Sequence, residues 1–378
     1  MQESTLDPQR QEKAKEYARL KRCLSYVDLI FTGFLLLLLL FDDLSHRLIG
    51  SLALLPAPAA SVYFLFLMVT YGILLAPLNY YRGLVLPRRY GLSFQKFAGW
   101  LGDTVKIGVL VVVLGVGVVA VVYLFMSSLP QIWWLLAWGF MLIISLVLTI
   151  LVPVFIAPIF FKMEPLMDTE LKERLKRLSR QAEMRVNSIY TITFSSKGTT
   201  ANAALMGVGK TRRIVLSDTL LEQYSPAEIE VIIAHELGHQ HHHDIFRLFV
   251  MQSAMLLVGF YVTNLILKTA IVPLGFSSLS DTATLPLLIL ILGAANLLFA
   301  PLINSFSRQL ETAADNYALN LTNDPGSFIS SITKLTDQNL VEARPNRWVE
   351  FLFWAHPSYR RRVEYARCHL TYKSNKRE

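Results

Sequence analysis

The stretch SPAEIEVIIAHELGHQHHHD, residues 225–244, holds a helix start, a buried stripe and a pair of metal-binding side chains. Ser225 is placed to cap a helix, Pro226 suits its first turn, and Glu228 three residues after Ser225 completes a capping box. Ile229, Ile232, Ile233 and Leu237 recur at helical spacing and mark the inward face. Inside this helix His235, Glu236 and His239 spell H-E-x-x-H. Residues four apart share a helix face, so two imidazoles reach one metal ion while Glu236 reaches a water there. A hydrolytic zinc site also needs a third protein ligand and one open position. The rest of the chain must supply that ligand.

Outward from this helix the chain alternates between soluble and membrane character. Upstream, Asp168 is placed to cap a helix whose apolar face is Leu171, Leu175, Leu178 and Ala182. Residues 188–194, 201–206 and 212–217 read as strands, the last two joined around Gly207 and Gly209, and Asp218 is expected to cap a short helix. Six apolar runs, 23–41, 59–78, 107–126, 132–155, 249–267 and 285–303, have the roughly twenty residues needed to cross a hydrocarbon core. Only SSLPQ links the third and fourth, which must form a hairpin. A polar loop with Ser277, Ser278, Ser280 and Asp281 links the fifth and sixth.

The expected fold is therefore mainly α: a polytopic membrane protein of about six spans with a small cytoplasmic α+β zinc-protease unit. Its divisions are a cytoplasmic lead (1–22), four spans (23–161), the α+β domain (162–245), a membrane hairpin (246–304) and a C-terminal helical part (305–378). Apolar residues make up 53% of the 378, above what soluble globular proteins show. The first run is not expected to be a cleaved signal, because a long mixed-charge lead precedes it and no small-residue site follows.

The formal net charge of +8 is read as a topology signal. Arg10, Lys13, Lys15, Arg19, Lys21 and Arg22 precede the first span, and Arg82, Arg88, Arg89 and Lys96 follow the second. The opposite loops hold little beyond Arg47 and Lys268. Both termini and the metal-bearing unit are thus expected on the cytoplasmic side, with no nucleic-acid partner. Asp28, the one charge in the first span, lies near its basic end and reads as solvated or locally paired. Cys23 and Cys368 fit neither a disulfide framework nor a metal knuckle. A metal-binding transporter or scaffold without catalysis would need charges lining a path through the spans, and they offer almost none.

The hairpin of spans five and six returns the chain to the metal's side at Glu311, in S-R-Q-L-E-T-A-A-D. Glu311 and Asp315 lie four apart, so Glu311 could ligate zinc while Asp315 holds the free ring nitrogen of a ligand histidine. Further on, His356 and Pro357 precede Arg360, Arg361 and Arg362. A histidine or arginine here could stabilise an oxyanion, and spacing does not choose among them. His241, His242 and His243 could bind a second metal, but they are read as lying past the helix end at the interface.

The combination of H-E-L-G-H, two spans, S-R-x-x-E-x-x-A-D and H-P-S-Y-R-R-R-V resembles the type I CAAX prenyl protease family of membrane zinc endopeptidases, and more distantly the HtpX heat-shock membrane proteases. Residues 212–221 (RRIVLSDTLL) and Ala201-Asn202-Ala203 are similar to that family as well. The resemblance implies one Zn2+ per chain on His235, His239 and Glu311, Glu236 as general base, and Asp315 as partner of a ligand histidine. It further implies His356 and Arg362 as oxyanion or substrate-carbonyl contacts and the strand around Asn202 as the substrate-backbone site. Implied substrates are membrane-associated, prenylated-type or unfolded proteins, cleaved near the cytoplasmic face; broad quality control of membrane proteins is the alternative. The eukaryotic members have one more span than the six read here. Orientation and size fit a bacterial or archaeal cell membrane. Oligomeric state is left open.

Overall fold

Asp7 starts the first helix by accepting hydrogen bonds from the amides of Gln9 and Arg10, with Pro8 at the first position, where its missing N–H costs nothing. The structure, a computed structural model, describes residues 5–41, 44–49, 55–207 and 212–375. Gly209, expected in a strand connection, lies outside them.

The N-terminal half is helical: α1 (Pro8–Leu40), α2 (Leu44–Ile49), α3 (Pro56–Leu74), α4 (Ala76–Tyr80), α5 (Leu86–Arg89), α6 (Phe97–Ser128), α7 (Trp133–Leu151) and α8 (Ala157–Phe160). Two π-helical turns, Tyr81–Val85 and Val152–Ile156, join α4 to α5 and α7 to α8. The tight link after α6 makes the expected hairpin with α7. Among the described residues six helices are long and apolar enough to cross a membrane: α1, α3, α6, α7 with α8, and the later α12 (Asp244–Ala270) and α13 (Leu285–Thr322). Ile30, Phe34, Ile73, Ile143, Ile150 and Leu298 are exposed on them, as a lipid-facing surface requires.

Several polar groups buried among these helices are paired, as the cost of an unpaired one there demands. Trp133 Nε1 donates to Asn264 Oδ1 at 2.9 Å, and the Tyr123 and Thr284 hydroxyls lie 2.9 Å apart. Asp28 accepts from Arg82 Nη1 at 2.9 Å and from the Tyr71 hydroxyl at 3.0 Å, so its charge is locally paired and lines no path.

Between α8 and α12 the chain builds a four-stranded sheet in the order β1-β2-β4-β3 from β1 (Met163–Pro165), β2 (Ser188–Ile192), β3 (Ala203–Met206) and β4 (Arg213–Ser217). Only β2 and β4 run parallel. β3 is an edge strand. Asp168 caps α9 (Thr169–Gln181) as expected, through the Leu171 amide. The cap of α10 (Asp218–Gln223) is Ser217 and not Asp218. Ser217 keeps the extended backbone that a cap needs and accepts from the Leu220 amide, whereas Asp218 is already helical. Its carboxylate accepts instead from the amides of Phe194 and Ser195.

The helix α11 (Pro226–His241) starts with the expected capping box of Ser225 and Glu228. Its Ile229, Ile233 and Leu237 join Ile214 and Leu216 of the sheet, Leu175 of α9, Ala318 and Leu319 of α13, and Phe328 and Ile332 of α14 (Pro325–Gln338) in one core. The last helices are α15 (Arg347–Phe353) and α16 (Tyr359–Asn375). Two histidines on α11 thereby stand on a helix packed on three sides.

Candidate active site

Helices α11 and α13 approach closely because position 238 lacks a side chain. A Cβ at Gly238 would stand 3.0 Å from Ala314 Cα and 3.1 Å from Tyr317 Cβ. That contact sets Glu311 of α13 against the histidine face of α11. His235 Nε2 and His239 Nε2 lie 3.1 Å apart; Glu311 Oε2 is 3.3 Å from the first and its Oε1 3.5 Å from the second. This is the one such group among the described residues.

The donor set fits a metal. Zinc bonds of about 2.0–2.1 Å in a tetrahedron place neighbouring ligand atoms a little over 3 Å apart. Glu311 Oε2 is also buried without a hydrogen bond, a costly state for a carboxylate oxygen unless a cation satisfies it. Burial disfavours charge on His235, but the carboxylates of Asp315 and Glu311 prevail and push its pKa up to about 10.

The ring nitrogens turned away from this cluster also meet carboxylates. Asp315 Oδ1 lies 2.9 Å from His235 Nδ1, and Arg362 Nε donates to Asp315 Oδ2 at 2.8 Å. Arg362 Nη2 takes the other Asp315 oxygen, so the guanidinium grips the carboxylate with two nitrogens. His239 Nδ1 lies 2.9 Å from Asp244 Oδ2, and Arg247 Nη1 donates to Asp244 Oδ1 at 3.2 Å. Asp244 was not singled out in the sequence. The available signal was an acid five residues after His239, but reaching back needs His243 in the left-handed region, φ 56°, which spacing does not reveal.

A cavity of about 490 Å³ opens beside the cluster, lined by His235, Glu236, Glu311, His356 and Arg362 and also by Ala201, Asn202 and Ala203. Burial raises the Glu236 carboxyl above its ordinary value, against the opposing pull of His235 and His239. His356 Nδ1 is 2.9 Å from Glu311 Oε1, with the side chain otherwise largely exposed at the rim. Its turn is held by two residues not foreseen: Glu350 accepts from the Ser358 amide at 3.1 Å, and Arg308 donates to the Glu350 carbonyl at 3.0 Å. Asn202 is exposed at the start of β3. His241 and His242 lie at the end of α11 with their rings 4.8 and 5.9 Å from that of Tyr317. The described residues group no second metal cluster around them.

Fold and site together define a membrane-embedded metalloendopeptidase. The chain belongs to peptidase family M48, whose model matches residues 165–369, and residues 2–162 match the CAAX prenyl protease N-terminal model, described as five membrane helices. Four of the six candidate spans fall in that N-terminal match. Among its relatives, an uncharacterized metalloprotease, YhfN, of Bacillus subtilis is 27% identical over 96% of this chain and 87% of its own length. A CAAX prenyl protease 1 homolog of rice, Oryza sativa subsp. japonica, is 28% identical over 74% of this chain and 67% of its own length. The crystal structure of S. mikatae Ste24p has the same fold, with a TM-score of 0.85 over 97% of this chain and 90% of that one at 20% identity.

Proposed function

We propose that His235, His239 and Glu311 hold one zinc ion and that Glu236 is the general base of peptide hydrolysis. When bound, the metal supplies Lewis acidity, acidifying water and polarising a carbonyl. Glu236, on the cavity wall beside His235, takes the proton of the attacking water and returns it to the leaving amine. His356, tethered through Nδ1 to Glu311 and lining the cavity, leaves its other nitrogen to donate to the substrate carbonyl oxygen. Arg362 has Nε and Nη2 engaged on Asp315, so its main part is to hold that carboxylate on His235; Nη1 alone is left for a carbonyl. The substrate backbone lies as an added strand along β3, whose Ala203 lines the same cavity as Glu236.

One observation carries this reading: His235 and His239 converge with Glu311 from a second helix, and His235, Glu236 and Glu311 line a cavity that Asn202 and Ala203 at a sheet edge also line. Helices on both sides of the site enter the membrane, so substrates are membrane-associated or unfolded segments presented at the cytoplasmic boundary of a cell membrane. Relatives named CAAX prenyl protease extend the candidates to prenylated C-terminal peptides.

The test pairs metal analysis of the detergent-purified protein with cleavage of an unfolded protein and of a farnesylated peptide. One zinc per chain, with cleavage by wild type and none by Glu236→Gln, is expected; equal cleavage by both would refute the assignment. The preferred substrate separates lipoprotein processing from broad quality control.

A further inference from the structure

The four residues ahead of β3 have main-chain groups engaged on alternating sides. Toward the sheet, the Thr200 carbonyl accepts from Thr219 Oγ1 at 2.7 Å. Asn202 donates its N–H to Ser217 Oγ and accepts from the Ser217 amide, both at 2.9 Å. Away from the sheet, Gln338 Nε2 donates to the Thr199 carbonyl at 2.7 Å. Beside it the Asn339 side chain meets both groups of Ala201: Oδ1 accepts from the N–H at 3.1 Å and Nδ2 donates to the carbonyl at 3.2 Å. An asparagine amide offers one acceptor and paired donors, as a neighbouring peptide unit would. Asn339 occupies the place of one residue of a fifth strand.

The alternation continues into β3. Asn202 hydrogen-bonds to Ser217 and Ala204 stands opposite Val215, so the main-chain groups of Ala203 and Leu205 point away from β4, on the same side as those of Ala201. Among the described residues no hydrogen bond reaches them. Asn339 and Ala203 both line the cavity that holds Glu236.

Asn339 is itself fixed from a distance by the N-terminal helix. Arg10 Nε donates to the Asp337 carbonyl at 2.8 Å, and Gln11 Nε2 to Asp337 Oδ1 at 2.9 Å. Gln11 Oε1 accepts from the Ala343 amide at 3.0 Å, closing a clamp around the segment. Leu340, next to Asn339, is held at φ 47° and is buried with Ala14 and Leu92, against Tyr17 and Tyr90. A left-handed leucine is strained and persists only where its surroundings impose it.

We propose that Asn339 is a register stop for an extended peptide on the edge of β3, clamped in place by α1. This rests on the reading of β3 as the substrate strand. With Ala201 closed, pairing begins at Ala203, and the peptide bond that reaches Glu236 is set. Removing the stop opens one further pairing position, and because strand faces repeat every two residues, the substrate slips by about two residues. Asn339 would thus decide which bond is cut without touching the reacting atoms.

The experiment maps by mass spectrometry the bonds cut in reduced, carboxymethylated α-lactalbumin by the zinc-loaded, full-length protein in detergent. Cutting by wild type and not by Glu236→Gln checks the underlying protease reading separately. Given that cutting, Asn339→Ala should keep its zinc and add cuts about two residues from the wild-type bonds. Gln11→Ala, outside the cavity, should give the same new cuts in smaller yield. Cutting by Asn339→Ala at wild-type bonds alone, at whatever rate, overturns the stop. New cuts in Asn339→Ala with none in Gln11→Ala keep the stop and overturn the clamp. If Asn339→Ala does not fold, Asn339→Ser, too short to meet both main-chain groups of Ala201, decides by the same readout: shifted cuts support the stop, and wild-type bonds alone refute it.

Discussion

Each histidine of the cluster is gripped from behind by a carboxylate that is itself held by an arginine: Asp315 by Arg362, and Asp244 by Arg247. Such partners fix the ring and raise its basicity, and losing one typically weakens a metal site about 10–100-fold. Asp315→Asn and Asp244→Asn are therefore each expected to weaken zinc binding within that range, read by chelator competition. Unchanged affinity would reduce these carboxylates to packing. Arg362→Lys should also weaken zinc binding, because an ammonium cannot reproduce the two-nitrogen grip on Asp315.

Two features decide whether α11 presents its histidines correctly. Gly238→Ala would gain about 1 kcal/mol of helix propensity. Against that, the new Cβ presses on the Ala314 backbone, and overpacking typically costs about 1–3 kcal/mol. The packing cost is expected to win, lowering both the melting temperature and zinc affinity, and a variant at least as stable as wild type would show that α13 gives way easily. The second feature is Glu228, which caps α11 and also accepts from Lys334 Nζ at 2.8 Å. Burial opposes its charge, but Lys334, Ser330 and the Ser225 amide outweigh burial and hold its pKa below the ordinary value. The folded form therefore binds fewer protons than the unfolded chain between the two pKa values. Its contribution is full above the ordinary glutamate pKa of about 4.3 and is lost as pH falls through the lowered folded value. Melting temperatures followed below pH 5 should drop less steeply for Glu228→Gln than for wild type; parallel curves would remove Glu228 as a source of acid sensitivity.

Across the whole molecule, the topology proposed from six candidate spans and the basic loops puts the connection between α12 and α13 opposite the sheet and the candidate metal cluster. With Cys23 and Cys368 replaced by serine, Ser280→Cys and Glu173→Cys should react with a membrane-impermeant maleimide from opposite sides, Glu173→Cys from the cytoplasm. Labelling from the same side would require an even number of crossings between them. The same arrangement explains why Glu311 stands far along the chain from His239. A single helix, α13, leaves the membrane and carries the third side chain to the cluster without a break.

Local chemistry was enough to read much of this protein. The capping box, the H-E-x-x-H spacing, the six apolar runs and the return of Glu311 to the metal's side are all written in residues a few positions apart or in runs of one composition. What spacing could not give were contacts between elements distant in sequence. The cap of α10 moved to Ser217 because backbone dihedrals, not residue preference, decide which of two adjacent oxygens faces the first turn. Asp244 reaches His239 only through a left-handed residue, and Arg362 reaches Asp315 only because α16 packs beside α13. Asn339 meets Ala201 across 138 residues of chain. The sequence by itself determined the metallopeptidase class and the six candidate spans, because composition and helical period are local quantities. The tertiary structure alone decided which carboxylate holds which histidine and where the sheet edge begins, because those depend on packing between segments that no short-range pattern relates.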